Sequence, residues 1–239
     1  MNRFIHSSLL IAVYAVVLFM LIFLAVTGSR TVTVISENAP IKNRHCIIID
    51  PGHGGVDGGA TSCTGVLESA INLDIACKLE DLLHLLGFKT LMVRKTDISI
   101  HTDGESIAEK KVSDLKQRVK IVNETEYAVL VSIHQNYFSD SRYSGAQIFY
   151  TDCGESKQLA HDLQAEFVSS LNPGSRRAPQ KAHGIYLMDK IHCTGVLIEC
   201  GFLSNWEEEA RLRDDVYQKK ICCVIGSVCS RFLKQESLT

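Results

Sequence analysis

The sequence predicts an α/β fold, a twisted, mixed and mainly parallel sheet flanked by helices, preceded by one N-terminal transmembrane helix. Three observations carry that reading. Short continuous apolar runs, typical of strands buried on both faces, recur along the chain. Segments with helical apolar spacing separate them, an alternation that builds a largely parallel sheet. The third is a charge-free stretch, "LLIAVYAVVLFMLIFLAV", from Leu9 to Val26.

That stretch is long enough to cross a hydrocarbon layer of about 30 Å when slightly stretched. Arg3 and the free amino group precede it, so the N-terminus stays cytoplasmic and the rest is exported. A cleaved signal peptide is the competing reading. The run is longer than a signal core and Thr27-Gly28-Ser29 is a poor cleavage match, which favours an uncleaved anchor over residues 1–30. Residues 31–44 are polar, carry Pro40 and read as a linker, leaving one catalytic domain over 45–235.

Within that domain Cys46–Asp50 is the first strand, stopped by Pro51 and Gly52. Glu68 to Leu86 has helical spacing, with Gly87 as its stop. "FKTLMV" (88–93) is a second strand, and a loop around "TDISIHTDGES" leads to a helix near 107–123. Strands follow at "YAVLVSI" (127–133) and "GAQIFY" (145–150), then a helix over 155–170 and a strand at "GVLIEC" (195–200). From "NWEEEARL" through "SVCSRFL" the chain reads as helical to the end.

Composition excludes some partners. Net charge is −2 with Lys/Arg and Asp/Glu balanced, so no nucleic-acid surface is indicated, and "EKKVSDLKQRVK" reads as the solvated face of a helix. Nine cysteines is an odd number and no CxxC occurs, which argues against a cysteine zinc site. Cys77, Cys222, Cys223 and Cys229 fall in apolar helical patterns and read as free, buried thiols.

The first strand runs into "IIIDPGHGGVDGGA" (47–60), a lone imidazole among glycines. A dinucleotide fingerprint fails there because its sixth position is Asp57, and no Gly-Lys-Ser/Thr ends a P-loop. The alternative is a metal held by His53. In open sheets ligands gather beyond the carboxyl ends of strands. Three strands deliver equipped residues there: Asp50 leading to His53, "SIHQN" with His134, and "LIECGF" with Glu199. Two imidazoles and one carboxylate make a hydrolytic zinc set, with a separate carboxylate to move the proton. Spacing leaves Glu68 and Glu199 both open as the metal ligand.

The motifs "DPGHGGVDGGA", "GVLESAINLDIACKL", "VSIHQN", "SGAQIFY" and "GVLIECGFLSN" resemble, in order and spacing, those of the zinc-dependent N-acetylmuramoyl-L-alanine amidases, over about 45–233. The resemblance implies that His53, Glu68 and His134 hold one Zn²⁺ and that Glu199 is the catalytic carboxylate. It also implies the family's mixed sheet. The implied reaction hydrolyses the amide between the muramic acid lactyl group and the L-alanine of a peptidoglycan stem peptide. The short anchor, the lack of wall-binding repeats and the "SGAQIFY" strand are most similar to the spore-cortex, germination-specific amidases, whose product is converted to muramic-δ-lactam. The implied partners are peptidoglycan, the membrane through the N-terminal helix, and an accessory protein. A zinc peptidase acting on the stem, and a wall-binding or scaffold protein, are the alternatives.

Departures from the pattern sit at Gln135, where a small residue is usual and the side chain should point away from the site or be aimed by the turn onto substrate, and in "NPGSRRAPQKAHGIYLMDKIHCT". There Arg176, Arg177 and Lys181 are candidates for a stem-peptide carboxylate, against solvated loop charges. His183 and His192 are candidate fourth ligands. Asp50 should orient the loop or His53 rather than bind metal. The glycines around His53 should lower the walls of the site for a bulky substrate.

Overall fold

The computed structural model describes residues 45–236. The expected anchor (1–30) and linker (31–44) lie outside the described residues, and among those described no helix is long and apolar enough to cross a membrane.

The strands are β1 (Cys46–Pro51), β2 (Lys89–Met92), β3 (Ala128–Asn136), β4 (Gln147–Tyr150), β5 (Gln180–Lys181) and β6 (Thr194–Phe202). They form one sheet in the order β2-β1-β3-β6-β4-β5. β2, β1, β3 and β6 run parallel to one another, β4 is antiparallel to β6, and β5 is parallel to β4. The mainly parallel, mixed sheet is therefore as expected. Its central strands read as unbroken apolar runs because both faces are covered.

The helices are α1 (Glu68–Leu85), α2 (Ile107–Glu124), α3 (Ser156–Ser170), α4 (Tyr186–Lys190), α5 (Trp206–Leu212) and α6 (Asp215–Glu236). Period-two alternation sorts the strand residues between the faces. Ile47, Ile49, Val129, Val131, Ile133 and Ile198 pack with Ile75 and Leu79 of α1, Leu163 of α3 and Ile225 of α6. Ile48, Leu130 and Leu197 pack on the other side with Val122 of α2 and Leu187 and Met188 of α4. The three successive isoleucines of β1 are all fully buried.

Four details differ from the sequence expectation. β3 continues past Ile133 to Asn136, so His134 lies within the strand rather than after it, next to a register shift. The C-terminal helical stretch is two helices, broken at Arg213 and Asp214, and Asn205 caps the first by accepting from the Glu207 and Glu208 amides. The segment before β6 contains β5 and α4, both too short and polar to show a period. The α2 stretch predicted to be solvated buries Ser113, Asp114 and Arg118. That helix starts at a capping box: Ser106 accepts from the Glu109 amide and the Glu109 carboxylate reaches back to the Ser106 amide.

All nine cysteines are free, and Cys46, Cys200, Cys222 and Cys229 are buried. Cys223 is exposed, against expectation, because it lies on the outer side of α6.

Candidate active site

Strand pairing puts the catalytic candidates in one row. His134 of β3 is in register with Glu199 of β6, and Glu199 with Gln147 of β4, so the three side chains share the face covered by α2 and α4. Asp50 and Ser132, also paired, lie one step below. Gln135 projects to the opposite face, where its Nε2 donates to Asn72 Oδ1 at 3.2 Å, as strand alternation predicts.

Glu68 opens α1 and is buried, a place where the helix dipole favours a negative charge. Its Oε1 lies 3.0 Å from His134 Nδ1 and accepts from Asn72 Nδ2 at 3.1 Å and the Gln135 amide at 3.1 Å. Its Oε2 lies 3.2 Å from His53 Nε2 and accepts from the Ala60 amide at 3.0 Å. The imidazoles of His53 and His134 meet edge to face, with centroids 5.0 Å apart. His53, Glu68 and His134 each bring a ligand atom within 4.8 Å of the others, and they are the one such group of three or more among the described residues. The donor chemistry fits zinc: two imidazoles and a carboxylate, with room for a fourth ligand.

The glycines serve these side chains. A Cβ on Gly52 would stand 2.2 Å from the His134 ring, and one on Gly59 2.5 Å from Glu68 Oε2 and 2.7 Å from His53 Cδ2. Gly54 and Gly55 instead let the loop press on the backbone of Ile98 and Ser99. The close approach these four permit is thus between parts of the protein itself. His53 takes a left-handed conformation, φ 61°, which a β-carbon disfavours.

Two buried arginines hold that strained loop. Arg118 donates through Nη2 to the His53 carbonyl at 2.7 Å and through Nη1 to the Pro51 carbonyl at 3.0 Å, while pairing with Asp50 and Asp114. Arg94 donates to the carbonyls of Pro51 at 3.0 Å, Gly52 at 3.0 Å and Ser69 at 2.9 Å. Asp50 thus positions the loop through Arg118 and accepts from Ser132 at 2.7 Å. Sequence reasoning missed both arginines, although a carboxylate ending a buried strand calls for a buried partner. Asp57, noted only as the break in a dinucleotide fingerprint, contacts His53 Nδ1 at 2.9 Å and Lys111 Nζ at 2.9 Å. A carboxylate on the second ring nitrogen fixes a metal-binding imidazole's tautomer and orientation.

Electrostatics separates the two glutamates. Burial opposes ionisation of Glu68, but His134 and His53 outweigh it and hold the carboxyl well below the usual range. Glu199 is pushed up to about 7, first by burial and then by the charge of Glu68, with the imidazoles opposing. Its Oε2 is buried without a hydrogen-bond partner among the described residues. Such an atom is costly unless a ligand or water completes it.

The remaining candidates stand elsewhere. His192 precedes β6, at the end of the sheet opposite Glu199, and its amide bonds Asn123. His183 is exposed beyond β5, near Asp152, which pairs with Lys181 at 2.7 Å. Neither histidine joins the His53–Glu68–His134 group. Arg176 and Arg177 line a cleft beside Gln147.

The sequence of residues 47–227 matches the family model described as N-acetylmuramoyl-L-alanine amidase. The chain belongs to the N-acetylmuramoyl-L-alanine amidase family. It is 36% identical over 192 residues to the germination-specific N-acetylmuramoyl-L-alanine amidase of Bacillus subtilis, covering 80% of each chain. The CwlD amidase from Clostridioides difficile, solved in complex with the GerS lipoprotein, superposes with a TM-score of 0.76 at 35% identity, over 79% of this chain and 98% of that one. An N-acetylmuramoyl-L-alanine amidase from Clostridium difficile 630 gives 0.69 at 29% identity, over 80% and 98%. As an amidase of this family, the chain acts on peptidoglycan.

Proposed function

We propose that this amidase hydrolyses the bond between the lactyl carboxyl of muramic acid and L-alanine with one zinc ion held by His53, Glu68 and His134, and with Glu199 as the proton carrier. The observation that carries the assignment is the contrast between the glutamates: both Glu68 oxygens are engaged by the imidazoles, while Glu199 in the adjacent strand keeps a buried oxygen unpaired. Bound there, zinc would acidify water and polarise the lactyl carbonyl. Glu199 accepts the proton of the attacking water and returns it to the departing L-alanine nitrogen. Burial raises the Glu199 carboxyl above the usual carboxylate range, which suits a group that both accepts and returns a proton. Asp57 keeps His53 in one tautomer, and Arg118 and Arg94 keep its loop in place.

The similarity to a germination-specific amidase supports a role in the spore cortex. The relative solved with a lipoprotein supports an accessory protein for this chain too. The charge-free run before Val26 supports a membrane anchor with the catalytic domain on the extracytoplasmic side.

Crossing two isosteric variants tests the roles. Glu199→Gln should retain zinc and slow muropeptide cleavage at least about a hundredfold, the scale of general acid–base catalysis. Glu68→Gln should lose zinc and rate together. Elemental analysis gives the metal, and an L-alanine amino terminus on the released peptide distinguishes an amidase from a stem peptidase. Zinc lost from the first variant and kept in the second would reverse the assignment.

A further inference from the structure

The row His134–Glu199–Gln147 continues beyond the catalytic carboxylate to a cation. Gln147 stands one strand from Glu199, an interval of about 4.5–5.5 Å between paired residues. Its Oε1 accepts from Arg177 Nη1 at 3.3 Å, and its Nε2 is committed to the Ala178 carbonyl at 2.8 Å. Arg177 is pre-set: Nε donates to the Ser144 carbonyl at 3.0 Å, and the guanidinium carbon lies 4.8 Å from the centre of the Phe202 ring. Its Nη2 has no protein hydrogen bond among the described residues, and the side chain is partly exposed in a cleft of about 1020 Å³.

That cleft carries Arg142, Arg176, Arg177 and Arg211 against Asp140 and Glu208. Both carboxylates are occupied. Asp140 pairs with Arg142 at 2.7 Å, and Glu208 caps the amides of Gly145 and Phe202 and lies 3.7 Å from Arg211. Arg176 and Arg177 therefore give this cleft, joined to the catalytic row through Arg177 and Gln147, an uncompensated positive charge. The proposed substrate is polarised the same way. On one side of the scissile amide lies an uncharged glycan; on the other lies a peptide that bears free carboxylates.

We infer that Arg177 is a specificity-determining residue that binds a carboxylate of the stem peptide on the leaving-group side of the scissile amide, next to the bond Glu199 serves. This rests on the amidase reading. An immobilised guanidinium with one open edge recognises a carboxylate by charge and by a directed hydrogen bond, and a carboxamide supplies neither to the same degree.

The full-length zinc-loaded chain in detergent can be offered two muramoyl dipeptides whose second residue is a γ-linked glutamate, one with a free α-carboxylate and one with the α-carboxamide. The wild type should favour the carboxylate at least about tenfold in kcat/KM, since a site built around a polar group rejects the analogue that lacks it. Arg177→Gln should bring the ratio to about one with zinc content unchanged, and Arg177→Lys should restore part of it. A wild-type ratio near one overturns the assignment without reference to any variant, so it stands even if Arg177→Gln misfolds. A ratio kept by Arg177→Gln overturns it as well. Cleavage of neither dipeptide by a wild type that cleaves whole muropeptides would place recognition beyond the second residue and overturn it. A wild type inactive on every muropeptide would instead remove the amidase reading itself.

Discussion

At the scale of single residues, the candidate site is a set of close approaches that glycine alone allows. The imidazole of His134 lies where a Gly52 side chain would be, and Glu68 and His53 lie where a Gly59 side chain would be. Gly52→Ala should therefore leave the sheet intact and displace His134. Zinc affinity should fall by roughly 10–100-fold, as when the support of a metal ligand is removed. Gly65→Ala is the control. Unlike Gly52 it is left-handed, with φ 89°, and nothing lies within 4 Å of its added carbon. That variant should lose about 1–2 kcal/mol of stability and no zinc. Elemental analysis and urea melts on both proteins check the contrast, and equal zinc loss in the two would show that general destabilisation, not the lost cradle, is responsible. With the family resemblance separating the two glutamates, the sequence made His53, Glu68, His134 and Glu199 legible as candidates, through the glycine loop after β1, the start of α1 and equipped residues late in two apolar runs. It did not show why so many glycines were needed: that depends on which side chain crosses over which backbone, a contact between residues far apart in the chain.

At the scale of elements, the strands and long helices were legible because their apolar periods are undiluted by function, as in the three buried isoleucines of β1. α2 misled for the opposite reason. Its sequence is dominated by half-buried Lys110 and exposed Lys111, Lys116 and Lys120, and nothing local marks Arg118 as different. Only the tertiary position of Asp50, at the end of β1, turns that arginine inward. Burial opposes ionisation of Asp50, but Arg118 and Ser132 outweigh it and hold the carboxyl below the usual range. A carboxylate depressed on folding stabilises fully above its unfolded pKa, about 3.9, and loses that contribution as pH falls through the folded value. Asp50→Asn should thus cost stability at pH 7 and flatten the acid side of the stability profile below about pH 4. Arg118→Met, which strands two buried carboxylates, should cost about 3–5 kcal/mol. Urea midpoints across pH test both, and an Asn variant as acid-sensitive as the wild type would mean that the pair does not set the acid limb.

At the scale of the whole molecule, the described residues hold a six-stranded sheet with both faces covered, in which β1, starting at Cys46, lies between β2 and β3. The Cys46 amide bonds the Tyr127 carbonyl at 3.0 Å, and Cys46 is itself buried between β2 and β3. Exposed Leu85, Ile107 and Trp206 lie singly on different elements, while exposed Phe138 and Tyr143 pack edge to face on each other in one loop. Removal of residues 1–44 should therefore give a domain that is monodisperse without detergent and melts cooperatively. With the site's four residues untouched, it should bind zinc and cleave isolated muropeptides at the full-length rate, while the intact chain fractionates with membranes. Removal of residues 1–50 is the sharper half of the pair. It deletes five of the six residues of β1, parts β2 from β3 and takes Asp50 from Arg118, so it should abolish folding and zinc binding together. Gel filtration, thermal melts and product identification on the two truncations decide the matter. An aggregated 45–239 fragment would show that the apolar N-terminal run belongs to the folded core rather than to a membrane.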